Sequence, residues 1–119
     1  MYNKDRKEKM ASHYKRKKYQ SQKAAVFSLY KAYAKRRLLP FTLSFGEFER
    51  LIISRCAYCG ALPSNIRRNG KHAASFLYQG IDRDIGEVGY TVENSVPCCI
   101  KCNRAKGSKT VLEFLAYRG

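Results

Sequence analysis

Apolar residues are nearly absent from the first stretch of the chain, where Lys and Arg alternate with polar residues in runs such as KDRKEK and YKRKKY. With no stripe to bury, residues 1–22 read as a flexible basic arm. Periodicity then begins: Val26, Phe27, Tyr30, Tyr33, Ala34 and Leu38 recur at helical spacing, with Lys31, Lys35 and Arg36 between them. This predicts an amphipathic helix from Gln22 to Leu39 with a basic outer face, ended by Pro40. A second helix is announced by Ser44-Phe45-Gly46-Glu47, a capping box, with Leu43 and Phe48 placed as a hydrophobic staple. Its buried stripe is Phe48, Leu51 and Ile52, and it runs to about Arg55.

Beyond Cys59-Gly60 the pattern changes. Residues 63–75 are polar and turn-rich and read as a loop, Phe76 to Asp82 as a strand, Gly86 to Gly89 as a turn, and Tyr90-Thr91-Val92 as a second strand. A helix beginning near Lys101 stops at Gly107. Thr110-Val111-Leu112-Glu113 is a further capping box, opening a last helix with Leu112, Leu115 and Ala116 as its apolar positions. The fold class is therefore α+β. Its expected organisation is an arm (1–22), a helical segment (23–55) and a small domain (56–119).

Charge narrows the partners. The chain has 24 Lys and Arg against 9 Asp and Glu, a net +15, of which +11 lies in residues 1–40. Such an imbalance favours a polyanion through counterion release, nucleic acid first. No apolar run is long enough to cross a membrane and no apolar segment follows Met1, so a soluble, intracellular protein with no membrane partner is expected. Lys15, Arg16, Lys17 and Lys18 in the arm, Arg36 and Arg37 on the first helix, and Lys101, Arg104 and Lys106 (with Lys109 beside them) near the last cysteines are the candidate phosphate contacts.

Five cysteines in such a chain point to metal rather than disulfides. Cys56-x-x-Cys59 and Cys99-x-x-Cys102 form two knuckles whose four thiolates satisfy tetrahedral Zn²⁺ with no open position, a structural site. The 39 residues between the pairs exceed what a simple zinc ribbon uses and imply an inserted element. Cys98, at the wrong spacing for a knuckle, is expected to be buried.

The sequences Gly80-Ile81-Asp82-Arg83, Gly89-Tyr90-Thr91-Val92-Glu93-Asn94 and Pro97-Cys98-Cys99-Ile100-Lys101-Cys102-Asn103-Arg104-Ala105-Lys106-Gly107 lie inside and beside the knuckles. This arrangement resembles the HNH endonucleases, the zinc-stapled branch of the ββα-metal nucleases, over about residues 56–107. The resemblance implies a strand ending in a metal-binding carboxylate, a second strand, and a helix packed across both. Carried over, Asp82 is the implied carboxylate ligand of a catalytic Mg²⁺ or Mn²⁺, Asn103 a second oxygen ligand, and Asn94 the residue whose side chain holds the connecting loop. Hard cations of this kind take oxygen donors and leave room for a phosphate and water. The catalytic set implied is thus Asp82, Asn94 and Asn103.

One position departs from the pattern. Arg83 stands where the family has the His that deprotonates the attacking water, and a guanidinium stays charged near neutral pH. His72, in the preceding loop, is the surrogate base the sequence offers, with Tyr78 and Tyr90 as further candidates. Two functions from different classes follow: an HNH-type endonuclease cleaving phosphodiester bonds with a divalent metal, or an inactive HNH-derived module that binds DNA or RNA or serves as a structural component of a ribonucleoprotein.

Overall fold

The computed structural model describes residues 21–68 and 76–118. Lys15, Arg16, Lys17 and Lys18 and His72 lie outside the described residues. The first helix, α1, covers residues 21–36 and buries Val26 and Ala34, with Phe27, Tyr30 and Tyr33 packed beside them. It ends in a Schellman motif: the Leu39 N–H donates to the Ala34 carbonyl (2.8 Å) and the Leu38 N–H to the Lys35 carbonyl (3.2 Å), which puts Leu38 at φ 55°. The left-handed residue leaves the helical path, so Leu38, expected in the buried stripe, is instead 91% exposed. Pro40 follows the stop rather than making it.

Helix α2, Phe45–Ile52, starts where the capping box places it. The Glu47 N–H donates to Ser44 Oγ (3.1 Å) and the Ser44 N–H to Glu47 Oε1 (2.8 Å), a contact that holds the exposed Glu47 carboxyl below its ordinary range. It stops three residues short of Arg55, at the cap residue Ile53.

The loop expected over residues 63–75 contains a strand. β1, Asn65–Arg67, pairs antiparallel with β2, Phe76–Tyr78. The single strand expected from Phe76 to Asp82 is cut in two, because Gln79 and Gly80 direct their backbone groups elsewhere. The Gln79 N–H donates to the Ile52 carbonyl (2.7 Å), and the Gly80 carbonyl accepts from Cys98 (2.8 Å). The chain resumes as β3, Ile81–Arg83, in a second sheet with β4, Ser95–Pro97, at the register Asp82 opposite Val96 and Arg83 opposite Ser95. β4 replaces the strand expected over Tyr90–Val92. Tyr90 pairs with Phe41 in an isolated bridge, and residues 92–94 turn.

Helix α3, Ile100–Lys106, follows β4, is N-capped by Cys99 and ends at Gly107. Helix α4, Val111–Arg118, opens on the expected box, in which Thr110 and Glu113 exchange backbone-to-side-chain hydrogen bonds. Its buried residue is Phe114, set edge-on against Tyr58 with ring centroids 5.0 Å apart, while the expected positions Leu112, Leu115 and Ala116 are exposed. The reason is anchoring from the side: Asp84 accepts from the Val111 N–H (2.8 Å) and fixes which face turns inward.

Two cores result. Aromatic and aliphatic residues of α1 and α2 pack with Phe76, Ile81 and Tyr90, so the larger core crosses position 55 in the chain. The smaller gathers four cysteines (Cys56, Cys98, Cys99, Cys102) and Phe114. The linker between α1 and α2 is pressed on the hairpin turn: the Tyr90 N–H donates to the Pro40 carbonyl (2.9 Å) and the Thr42 N–H to the Tyr90 carbonyl (3.0 Å). Gly89, at φ 84°, permits this approach, since a Cβ there would lie 2.3 Å from the Pro40 oxygen.

Two substitutions test this account by thermal and denaturant unfolding. Leu38→Gly relieves a left-handed residue that buries nothing and is expected to raise stability by about 0.5–1 kcal/mol. Gly89→Ala, which must displace the linker, is expected to lower it by about 2 kcal/mol or more.

Candidate functional site

The two knuckles meet. After α2 the chain turns at Gly60 (φ 77°), with the Gly60 N–H donating to the Cys56 carbonyl (2.9 Å) and the Cys56 N–H to the Ala61 carbonyl (2.8 Å). Gln79, wholly buried, clamps this turn from behind by donating its amide to the Ser54 and Ala61 carbonyls, both at 3.1 Å. The Ala57 N–H donates to the Pro97 carbonyl (2.9 Å), which joins the first knuckle to β4 and the second.

The Sγ atoms of Cys56, Cys59, Cys99 and Cys102 lie within 4.8 Å of one another. Cys59 and Cys99 are 3.7 Å apart, against the ~3.8 Å between thiolates that share a tetrahedral zinc at about 2.3 Å. These four residues fit one Zn²⁺, which would act as a structural clamp with no coordination position open to substrate. Two of the four thiols are tuned in opposite directions. Burial pushes the Cys56 thiol up, but backbone N–H groups of Cys99, Cys59 and Tyr58 outweigh this and bring it down to about 6. Burial and the neighbouring thiols push Cys102 up to about 12, so a divalent cation must displace its proton. Cys98 is buried outside the set, its thiol pushed up by burial.

Beside this centre a cleft of about 730 Å³ opens between α1 and the β3–β4–α3 unit. Asp82, Arg83, Tyr90, Asn103, Lys106 and Lys109 line it together with Tyr30 and Tyr33 of α1. Asn94 is buried and holds the turn after β3: its amide donates to the Ile85 carbonyl (2.9 Å) and the Gly89 carbonyl (2.7 Å), and its Oδ1 accepts from the Ile85 N–H (2.9 Å). Arg83 is steadied by the turn it leads into. Its guanidinium donates to the Gly86 carbonyl (3.1 Å) and lies 5.5 Å from the Tyr90 ring centre, and it makes no ion pair among the described residues.

Asp82 is 5% exposed and both of its oxygens are engaged. Its Oδ2 accepts from the Tyr58 hydroxyl (3.0 Å), and the Lys106 ammonium lies 3.1 Å from Oδ2 and 3.3 Å from Oδ1. Lys106 itself, expected among the outward phosphate contacts, is 1% exposed and turned inward by this pairing. Lys101, Arg104 and Asn103 remain exposed on α3, Arg36 at the end of α1 and Arg37 just past it. As arranged, Asp82 and Asn103 do not fit a divalent cation, because the one carboxylate is already neutralised and both its oxygens are engaged. Tyr90, one of the bases the sequence offers, keeps its proton near neutral pH, since burial pushes its phenol up. Tyr78 is on β2, outside the residues lining the cleft.

Among solved structures, the chain superposes on the rare-cutting HNH restriction endonuclease PacI at a TM-score of 0.59 and 20% identity, over 80% of this chain and 72% of that one. The fold is shared with an HNH nuclease. No family model matches the sequence. An uncharacterized protein of Acanthamoeba polyphaga mimivirus is 36% identical over 86 residues, which are 72% of this chain and 14% of that protein. The chain thus spans about a seventh of that relative's length.

Three positioning residues escape a reading of motifs: Gln79, Tyr58 and the inward Lys106. Tyr58 is legible only in retrospect, as a residue inside a Cys-x-x-Cys where the intervening positions pass as spacers. The metal centre predicts that purified chain carries one zinc, measured by elemental analysis. Cys99→Ser is expected to lose it and to lower the unfolding midpoint by roughly 10 °C or more.

Proposed function

We propose that this chain is an HNH-type nucleic-acid-binding protein that grips the phosphodiester backbone of DNA in the cleft between α1 and the β3–β4–α3 unit. The observation that carries the reading is Arg83: a guanidinium held in place by a carbonyl and a ring, with no carboxylate partner among the described residues, at the cleft. Such a group presents paired N–H donors to a phosphate and needs no reorganisation to do so. Exposed Lys101 and Arg104 extend the positive surface along α3, Arg36 and Arg37 at the end of α1, and Lys15, Arg16, Lys17 and Lys18 add charge in the sequence before α1. The likeness in fold to a DNA-cleaving enzyme supports DNA over RNA.

Hydrolysis is the second reading, favoured by Asp82 and Asn103 lining the same cleft as Arg83. It requires Lys106 to leave the Asp82 carboxylate so that Mg²⁺ or Mn²⁺ can reach it, and a base other than Arg83, for which His72 is the remaining candidate; Asn94 in either case is a positioning residue.

Fluorescence anisotropy with a short DNA duplex, repeated across salt concentrations, separates these outcomes. Arg83→Gln is expected to weaken binding several-fold and to reduce the log–log salt slope by about 0.9, as one lost phosphate contact does, with the unfolding midpoint little changed. An unchanged slope and affinity would remove the phosphate role. Mg²⁺-dependent cutting of the same duplex that disappears in Asn103→Ala would establish the second reading.

A further inference from the structure

The place beside Asp82 is not bare. The Lys106 ammonium lies 3.1 and 3.3 Å from the two Asp82 oxygens, 3.0 Å from the Arg83 carbonyl and 3.5 Å from the Asp84 carbonyl. These are oxygens from one short stretch of backbone and one carboxylate, converging on a single cation. A hard divalent ion chooses the same class of donors. Here the chain supplies its own cation, from the last turn of α3, and buries it.

We propose that Lys106 is the resident counter-cation of this site, standing where the fold otherwise admits a divalent metal, so that Asp82 binds no Mg²⁺ or Mn²⁺ in the native protein. Charge argues for it first. A single carboxylate paired with an ammonium has no net charge left to attract a dication, and bringing one in would set two cations side by side in a region of low dielectric. Geometry argues for it second. Tyr58 donates its hydroxyl to the oxygen that Lys106 also approaches, and Tyr58 is anchored by Phe114, so neither carboxylate oxygen can turn toward the cleft without breaking a buried contact. Expelling Lys106 has no cheap route, because its side chain is enclosed and α3 is capped at both ends. The positive charge that faces a phosphate in this cleft is then protein-borne, with Arg83 at the surface and Lys106 beneath it. The inference does not depend on which polyanion occupies the cleft.

The test uses the full zinc-loaded chain and Mn²⁺ alone as the probe. In wild type, Mn²⁺ is expected to leave the amide signals of Asp82 and Arg83 unbroadened and the unfolding midpoint unmoved, as in Asp82→Asn. Lys106→Met, which keeps the length of the side chain and removes its charge, is expected to bind Mn²⁺ about tenfold or more tightly than wild type, and the gain is expected to vanish in the double variant Lys106→Met with Asp82→Asn. Selective broadening at Asp82 in wild type, with a Mn²⁺-induced rise in midpoint that Asp82→Asn abolishes, would overturn the proposal. The wild-type measurement decides it even where Lys106→Met fails to fold. Loss of DNA binding in Arg83→Gln speaks only to the functional reading, so the two can fail separately.

Discussion

A set of four thiols that must share one small volume governs this architecture. Cys56 and Cys59 follow a helix and Cys99 and Cys102 enter one; three of them, with Cys98 and Phe114, are the buried residues of the second core, and Cys59 is exposed at its edge. Apolar burial on that scale is small against the chain entropy of ordering the segment, and a metal shared by the four thiolates would supply the difference. The elements on the hairpin side of the cleft are tied to it. β4 reaches the first knuckle through Pro97, α3 begins at a ligand, and α4 packs Phe114 on the ring of Tyr58, a residue between two ligands.

The Asp82–Lys106 pair is a second constraint of a different kind. A buried ion pair contributes little to stability beyond what apolar residues of the same size would, but removing one partner alone leaves an uncompensated charge, typically a loss of about 3–5 kcal/mol. Its effect is therefore on specificity. It fixes β3 against the end of α3 and holds Tyr58 over both. The Asp82 and Lys106 charges on the cleft floor are satisfied from within, and Arg83, one residue further along β3, is left with donors to offer.

Much of this was readable in the residues. Both capping boxes, the two knuckles and the α+β class follow from local chemistry that tertiary contacts reinforce, as Ser44 with Glu47 and Thr110 with Glu113 show. The strands were harder. Residues 76–82 alternate plausibly as one strand, yet Gln79 is recruited by Ile52 and Ala61, partners no local pattern announces. Tyr90–Val92 has strong strand composition, but the linker at Phe41 claims Tyr90 first. At the site, the resemblance to HNH nucleases pointed to Asp82, Asn94 and Asn103 without revealing that Lys106 faces inward. A lysine three positions beyond Asn103 looks like a surface charge until the carboxylate across the hairpin is known.

The close seat of Gly89 under Pro40 has a consequence for the order of assembly. The Gly89 carbonyl is held by Asn94, so the surface that receives the linker exists only once the turn between β3 and β4 has closed. During synthesis α1 and α2 leave the ribosome about fifty residues ahead of that surface, and no earlier segment supplies it. The contact is non-local, and closing it costs more chain entropy than closing the hairpin, whose own partners are close in sequence. Until then α1 has only the linker and α2 to pack on: Phe27 and Tyr30 already meet Phe48, while the side of Tyr30 that Tyr90 covers stays open to other hydrophobic surfaces as translation catches up.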